Sequence, residues 1–178
     1  MSSNILIAYA TTDGHTLEIC RRLQRIAEGK DHKVTLHELQ AADGLDLSAF
    51  DRIVIGASIR YGKHKPEVKE FIDKNQAVLE SRPSAFFSVN VVARKPGKQT
   101  VETNPYVRKF LARISWKPPL VGIFAGKIDY PAYGAFDRTM IRFILWMGKG
   151  PTDPTGTFEF TDWKSVDAFG EKISQTSA

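Results

Sequence analysis

Cysteine is close to absent. The single thiol, Cys20, has no partner for an internal disulfide and cannot build a cysteine-rich zinc site. Long apolar runs are missing as well: no stretch approaches the roughly 18 residues of a membrane span. The first residues show no basic, apolar, then small leader pattern. These absences set the expectation of a reducing, cytoplasmic setting, with peripheral attachment to a membrane left open. Acidic residues are scarce in one region. Residues 94 to 149 hold 11 Lys/Arg against 3 Asp/Glu, while the remainder holds 14 against 17, so the net charge of +5 comes from one contiguous third. Such a block is either a solvated face or an attraction toward something anionic: nucleic acid, lipid headgroups or a carboxylated ligand.

What is present alternates between strand and helix patterns. "NILIAYA" (Asn4 to Ala10), "DRIVIGA" (Asp51 to Ala57), "PSAFFSVNVV" (Pro83 to Val92) and "LVGIFAG" (Leu120 to Gly126) are short apolar runs, and "KVTLHEL" alternates as an edge strand does. From His15 to Glu28, Leu17, Cys20, Leu23 and Ala27 recur at helical spacing, with Cys20 on the core stripe. Pro66 to Leu79 reads as one helix with Val68, Phe71, Ile72 and Val78 inward. A last helix from about Asp162 to Ile173 turns Trp163, Val166, Phe169 and Ile173 inward. Between Gln40 and Phe50 there is room only for a short helical turn. Unbroken apolar strands separated by helices predict a parallel sheet covered on both faces. Five strands in one domain, residues 1–178, fit the doubly wound order 2-1-3-4-5, whose ligands bind at the carboxyl ends of the strands.

Three loops follow the first, third and fourth strands of that order and face one crevice. In "TTDGHT", the amides around Gly14 begin a helix, and the hydroxyls of Thr11, Thr12 and Thr16 are suited to phosphate oxygens. Neither GxGxxG nor GxxxxGK[ST] occurs, which excludes the dinucleotide and Walker readings. An ordinary capped helix start is the alternative. In the next loop Tyr61 offers an aromatic face beside Gly62. In the third, Asn90 and the backbone from Ser88 to Ala93 are placed to bond a heterocyclic edge. His15 and His64 read as solvent-facing loop histidines, and no side chain is assigned as a general base.

"TTDGHT", "DRIVIGASIRYGKHKPEVKEFI", "SAFFSVNVVARKPGKQTVETNPYVRKFL", "AFDRTMI" and the "TDW" before the last helix together resemble the flavodoxin-like protoporphyrinogen IX dehydrogenases of bacteria. The resemblance runs from about Asn4 to the final helix. It implies a flavodoxin-like fold and an FMN enzyme that oxidises protoporphyrinogen IX in porphyrin and haem biosynthesis. It also implies a membrane quinone as electron acceptor and a position at the cytoplasmic face of the inner membrane. FMN contacts carry over to three segments. The first is Thr11, Thr12, Asp13, Gly14, His15 and Thr16, on the phosphate; the second is Ser58, Ile59, Arg60, Tyr61 and Gly62. The third is Ser88, Val89, Asn90, Val91, Val92, Ala93 and Arg94. A bare carboxylate facing a phosphate is costly at low dielectric. Asp13 is therefore expected to turn from the phosphate, with Arg60 as one candidate partner.

Two segments exceed the minimal five-unit plan. A basic insert, Ala93 to Pro119, carries Arg94, Lys95, Lys98, Arg108, Lys109 and Arg113, cations for propionates or an anionic membrane surface. Its Tyr106, Phe110 and Trp116 are apolar partners for the substrate. The second segment, Ala132 to Phe160, contains "AFDRTMIRFILWM", a helix with two apolar strips. Phe136, Met140, Phe143, Ile144 and Met147 form one; Ile141 and Leu145, beside Arg138 and Arg142, form the other. It reads either as a helix buried between core and insert or as an interfacial helix with its arginines and Trp146 at headgroup level. A homo-oligomer stays open. Electron-carrier flavodoxins and flavin-dependent quinone reductases share the fold, but such carriers are commonly acidic. A phospho-receiver needs an aspartate where Gly56, Ala57 and Ser58 stand, and no nucleic-acid recognition motif is present.

Overall fold

The computed structural model describes residues 1–40 and 44–175. Five parallel strands form one sheet in the order β2-β1-β3-β4-β5: β1 Asn4–Ala10, β2 Lys33–Glu38, β3 Arg52–Ser58, β4 Ser84–Val89 and β5 Val121–Phe124. The expected doubly wound order is the observed one. Residue alternation along β1 divides the core. Ile5, Ile7 and Tyr9 face α1 (His15–Glu28) and α6 (Trp163–Gln175), with Leu23, Phe87, Phe124 and Phe169. Leu6, Ala8 and Ala10 face the opposite layer with Ile53, Ile55, Phe71, Ile72, Phe86 and Trp116. Cys20 is fully buried in the first layer, and burial pushes its thiol pKa up, so it is a core side chain.

Several local expectations change. The helix expected from Pro66 to Leu79 is two, α2 (Pro66–Lys74) and α3 (Gln76–Ser81), because Asn75 leaves helical geometry and its side-chain amide donates to the Phe71 carbonyl. "SVNVV" is not strand throughout. The Asn90 side chain accepts the Ala93 N–H at 3.2 Å and turns Val91–Arg94 into a 3-10 segment. Leu47–Ala49 supplies the short turn expected within Gln40 to Phe50, while residues 41–43 of that segment lie outside the described residues. Asp162 caps α6 by accepting from the Lys164 and Ser165 amides.

Both inserts fold back over the carboxyl ends of the strands. The first contains α4 (Pro105–Leu111). The second contains α5 (Ala135–Met147) and β7 (Thr157–Glu159), which pairs antiparallel with β6 (Lys127–Asp129) just before the insert. That two-stranded sheet was not legible locally, since three-residue strands carry almost no periodic signal.

Candidate functional site

The loop after β1 is not a self-capped turn. Gly14 occupies the N-cap of α1 at φ 84°, a left-handed conformation that favours glycine, and no side chain caps the helix. Thr11 accepts the Gly14 N–H at 3.0 Å, which closes the loop and leaves the first amides of α1 for an anion. Asp13 does not serve as the cap. Its carboxylate pairs with the Arg60 guanidinium, the partner expected from charge alone.

Arg60 joins three elements. Besides Asp13, its Nη1 lies 3.7 Å from Asp137 in the first turn of α5, and its guanidinium sits 5.1 Å from the Tyr133 ring centroid. The Tyr61 hydroxyl donates to Asp137 as well, and this raises the tyrosine pKa. Tyr61 (φ 50°) and Gly62 (φ 76°) turn the loop so that Arg60 and Lys63 bridge each other. One ion-pair cluster thus fastens the β1 loop and α5 to the β3 loop.

These loops open on one cleft of about 530 Å³. Thr11, Thr12, Asp13, His15, Thr16, Ser58, Ile59, Arg60, Tyr61, Gly62, Val89, Asn90 and Val91 line it, as the three-loop reading expects. Gly14, Ser88, Val92, Ala93 and Arg94 do not. Ser88 is fully buried, bonded to His64 at 2.9 Å and to the Asn90 amide at 3.2 Å. Ala93 is buried beneath the loop. Arg94 turns from the cleft and donates to the Val91 and Gly148 carbonyls, tying α5's end to the β4 loop. Asn90 borders the cleft with its carbonyl oxygen already committed, to the Ala93 N–H and the Asn104 amide at 2.9 Å. It therefore builds the loop more than it offers a heterocycle a free acceptor.

Sequence reasoning missed the far wall. Lys127, Ile128, Tyr133, Met140, Ile141, Ile144 and Leu145 line it, contributed by β6, α5 and the turn between them, and Tyr106 of α4, named from the sequence as an apolar partner, joins them. Of the three aromatics named in the basic insert, Tyr106 reaches the cleft and the other two do not. Trp116 is fully buried and Phe110 packs on the same core layer, so neither is a substrate contact. The only hint was the second apolar strip of α5; nothing local told which strip faced a cavity.

Both loop histidines are sequestered, contrary to expectation. His15 is 7% exposed and bonded at each ring nitrogen, to Glu18 at 3.1 Å and Thr161 at 2.6 Å. His64 packs against Phe86 and Phe110, and burial lowers its pKa to about 3. Its folded pKa lies below the unfolded value, so its contribution is complete above about pH 6.5 and is lost as pH falls toward 3. The stability difference between wild type and His64→Phe should therefore shrink by about 1 kcal/mol per pH unit between roughly pH 6 and 4. Urea midpoints across that range check it; a pH-independent difference would exclude the effect.

The donor set can be tested against FMN. Among the described residues, the buried side-chain polar atoms without a hydrogen-bond partner are Thr16 Oγ1, Ser58 Oγ and Arg60 Nη1. All three residues line this cleft. Buried polar groups are ordinarily satisfied, so two unpartnered hydroxyls, beside a guanidinium nitrogen held only by its 3.7 Å ion pair with Asp137, suit a ligand rich in acceptors. An uncapped helix start suits its phosphate. The residues fit.

Comparison with known proteins agrees. The flavodoxin domain family matches residues 6–155. A protoporphyrinogen IX dehydrogenase (quinone) of Leishmania major is 40% identical over 174 residues, covering 97% of this chain and 75% of the relative. One of the same name from Escherichia coli K12 is 40% identical over 169 residues, covering 95% and 93%. Oxidised flavodoxin 1 from Bacillus cereus superposes with a TM-score of 0.59 at 16% identity over 99% of this chain and 100% of its own, which shows the shared fold. The chain therefore belongs to the flavodoxin domain family and, within it, to the protoporphyrinogen IX dehydrogenase (quinone) family, a group of oxidoreductases, and its cofactor is FMN.

Proposed function

We propose that the protein oxidises protoporphyrinogen IX to protoporphyrin IX and passes the electrons to a quinone, a step of porphyrin and haem biosynthesis. The observation that carries the reading is the apolar far wall of the cleft. Met140, Ile141, Ile144 and Leu145, with Tyr106 and Tyr133, line the cleft together with the three loops. A porphyrinogen and a quinone are both largely apolar ring systems, and such a wall desolvates them beside the cofactor loops.

Bound FMN supplies two-electron acceptance from the substrate and donation to the quinone. The porphyrinogen loses six electrons and six protons, which three quinones take up as three quinols. The chain's own part is placement and charge. Thr16, Ser58 and the start of α1 would hold the cofactor; Lys127, 3.9 Å from Glu18, is the cation of the cleft wall that suits a propionate carboxylate, since Arg60 is engaged by Asp13 and Asp137. Neither loop histidine is placed to take a substrate proton: His15 is bonded on both sides, and His64 is held neutral among aromatic rings.

The test is anaerobic incubation of FMN-loaded protein with protoporphyrinogen IX and menadione, read by porphyrin fluorescence. The expected result is quinone-dependent porphyrin formation with three quinones consumed per porphyrin. Rapid reoxidation of the reduced protein by menadione without porphyrin formation would replace this reading with that of a quinone reductase.

A further inference from the structure

The "TDW" of the sequence, Thr161 to Trp163, leads into α6, and two of its side chains reach the start of α1. The Trp163 indole N–H donates to Glu159 at 2.9 Å, and its ring stands edge-on to the His15 ring, with centroids 6.0 Å apart. Thr161 joins two elements. Its hydroxyl donates to the Ala125 carbonyl at 3.0 Å, just past β5, and lies 2.6 Å from His15 Nε2. His15 is the first residue of α1 and lines the cleft. One threonine thus ties the phosphate loop to the end of β5.

These partners fix the protons of His15. A hydroxyl has a single proton, and that of Thr161 is on the Ala125 carbonyl, so Thr161 accepts from His15 and Nε2 carries a hydrogen. Nδ1 lies 3.1 Å from the Glu18 carboxylate, which only accepts, so Nδ1 carries one as well. With both nitrogens donating, the ring is an imidazolium. Glu18 is itself 3.9 Å from Lys127 of β6, Asp13 in the same loop is paired with Arg60, and Trp163 brings an uncharged edge. A cation at the first residue of a helix is opposed by the helix dipole and therefore depends on anions beside it. Glu18 is one. The FMN phosphate is the other, because Thr11 closes this loop so that the first amides of α1 are left for an anion.

We infer that Thr161 is a positioning residue of the cofactor site: it holds the His15 ring as an imidazolium at the phosphate end of the cleft, so that retention of FMN is coupled to a proton on His15. The coupling is reciprocal. The protonated ring holds the phosphate, and bound phosphate holds the proton. The contribution is complete while His15 is protonated and is lost as pH rises and the ring becomes neutral. Riboflavin lacks the phosphate and gains nothing from the charge.

The test is the dissociation constant of FMN, measured by fluorescence quenching between pH 6.5 and 9, with riboflavin in parallel. Relative to His15→Gln, wild type is expected to bind FMN about tenfold more tightly at pH 6.5 and about equally at pH 9. Taking the ratio removes the titration of the phosphate itself, whose second ionisation lies near about pH 6. Thr161→Val is expected to lose the pH-dependent share, Thr161→Ser to keep it, and the double variant His15→Gln/Thr161→Val to be no weaker than either single one. Riboflavin affinity is expected to match wild type in every variant, which also shows that the variants fold. A long-range nitrogen–proton NMR spectrum of the FMN-loaded protein at pH 6.5 is expected to show both His15 ring nitrogens protonated. One unprotonated nitrogen would overturn the inference. So would an advantage over His15→Gln that does not change with pH, or equal losses of FMN and riboflavin affinity. No substrate or quinone enters these measurements, so failure here leaves the porphyrinogen assay unaffected.

Discussion

Thr16→Val is expected to weaken FMN binding by about 10- to 100-fold while leaving the stability of the cofactor-free protein within roughly 0.5 kcal/mol of wild type. Thr16 is 1% exposed in the first turn of α1, and its hydroxyl has no protein partner. Removing that hydroxyl costs the cofactor-free fold little because nothing in the chain uses it. A hydrogen bond to a charged acceptor contributes about 1.5–3 kcal/mol, which converts to the stated loss of affinity. Thr16→Ser keeps the hydroxyl and is expected to retain most of the binding. Riboflavin is the informative control. If Thr16 serves the phosphate, the variant loses affinity for FMN and not for riboflavin; an equal loss for both would relocate the hydroxyl's partner to the rest of the flavin. Unchanged FMN affinity in a fluorescence-quenching titration would remove Thr16 from the site.

Gly56→Ala is expected to destabilise the fold by about 3 kcal/mol, a large part of the 5–15 kcal/mol typical of a domain. Gly56 lies in the middle of β3, paired with Phe87 of β4, and a Cβ there would stand 2.1 Å from the Phe87 ring. The ring cannot yield cheaply. It is fully buried, with the Phe124 centroid at 5.8 Å and the Phe169 centroid at 6.0 Å. Thermal unfolding should shift down by about 6–12 °C for a chain of this size. In the Gly56→Ala background, Phe87→Leu is expected to recover part of the loss, so the double-mutant cycle should show a favourable coupling. Additive losses would mean that the glycine is not there to admit the ring.

The two variants probe different kinds of information. Gly56 belongs to "DRIVIGA", whose strand character and central position were evident from its unbroken apolar run. Thr16 was legible as a hydroxyl at a helix start, in a loop of the expected type. The Asp13–Arg60 pair was also accessible beforehand, because a carboxylate in a phosphate loop needs a cation and the neighbouring loop offers one. By contrast, Ser88 and Arg94 fell in the right motif and outside the cleft: Ser88 is turned inward on β4 and bonded to His64, and a 3-10 turn set by Asn90 carries Arg94 away. Local pattern places a residue on a loop; it does not fix which way a non-periodic loop points.

The strands themselves, the three loops that follow them and the two-strip character of α5 were all legible in the sequence. Each follows from a short-range regularity: apolar runs, turn residues, or angular spacing at 3.6 residues per turn. Only the tertiary structure decided which strip of α5 is buried. Both strips are apolar, and the choice depends on Tyr130, Tyr133 and the cleft beneath Ile141 and Leu145. Tertiary packing likewise took Trp116, Phe110, His15 and His64 from the expected surface and enclosed them, because the inserts fold back over the sheet. Burial is a property of the assembled layers, and no window of neighbouring residues contains it.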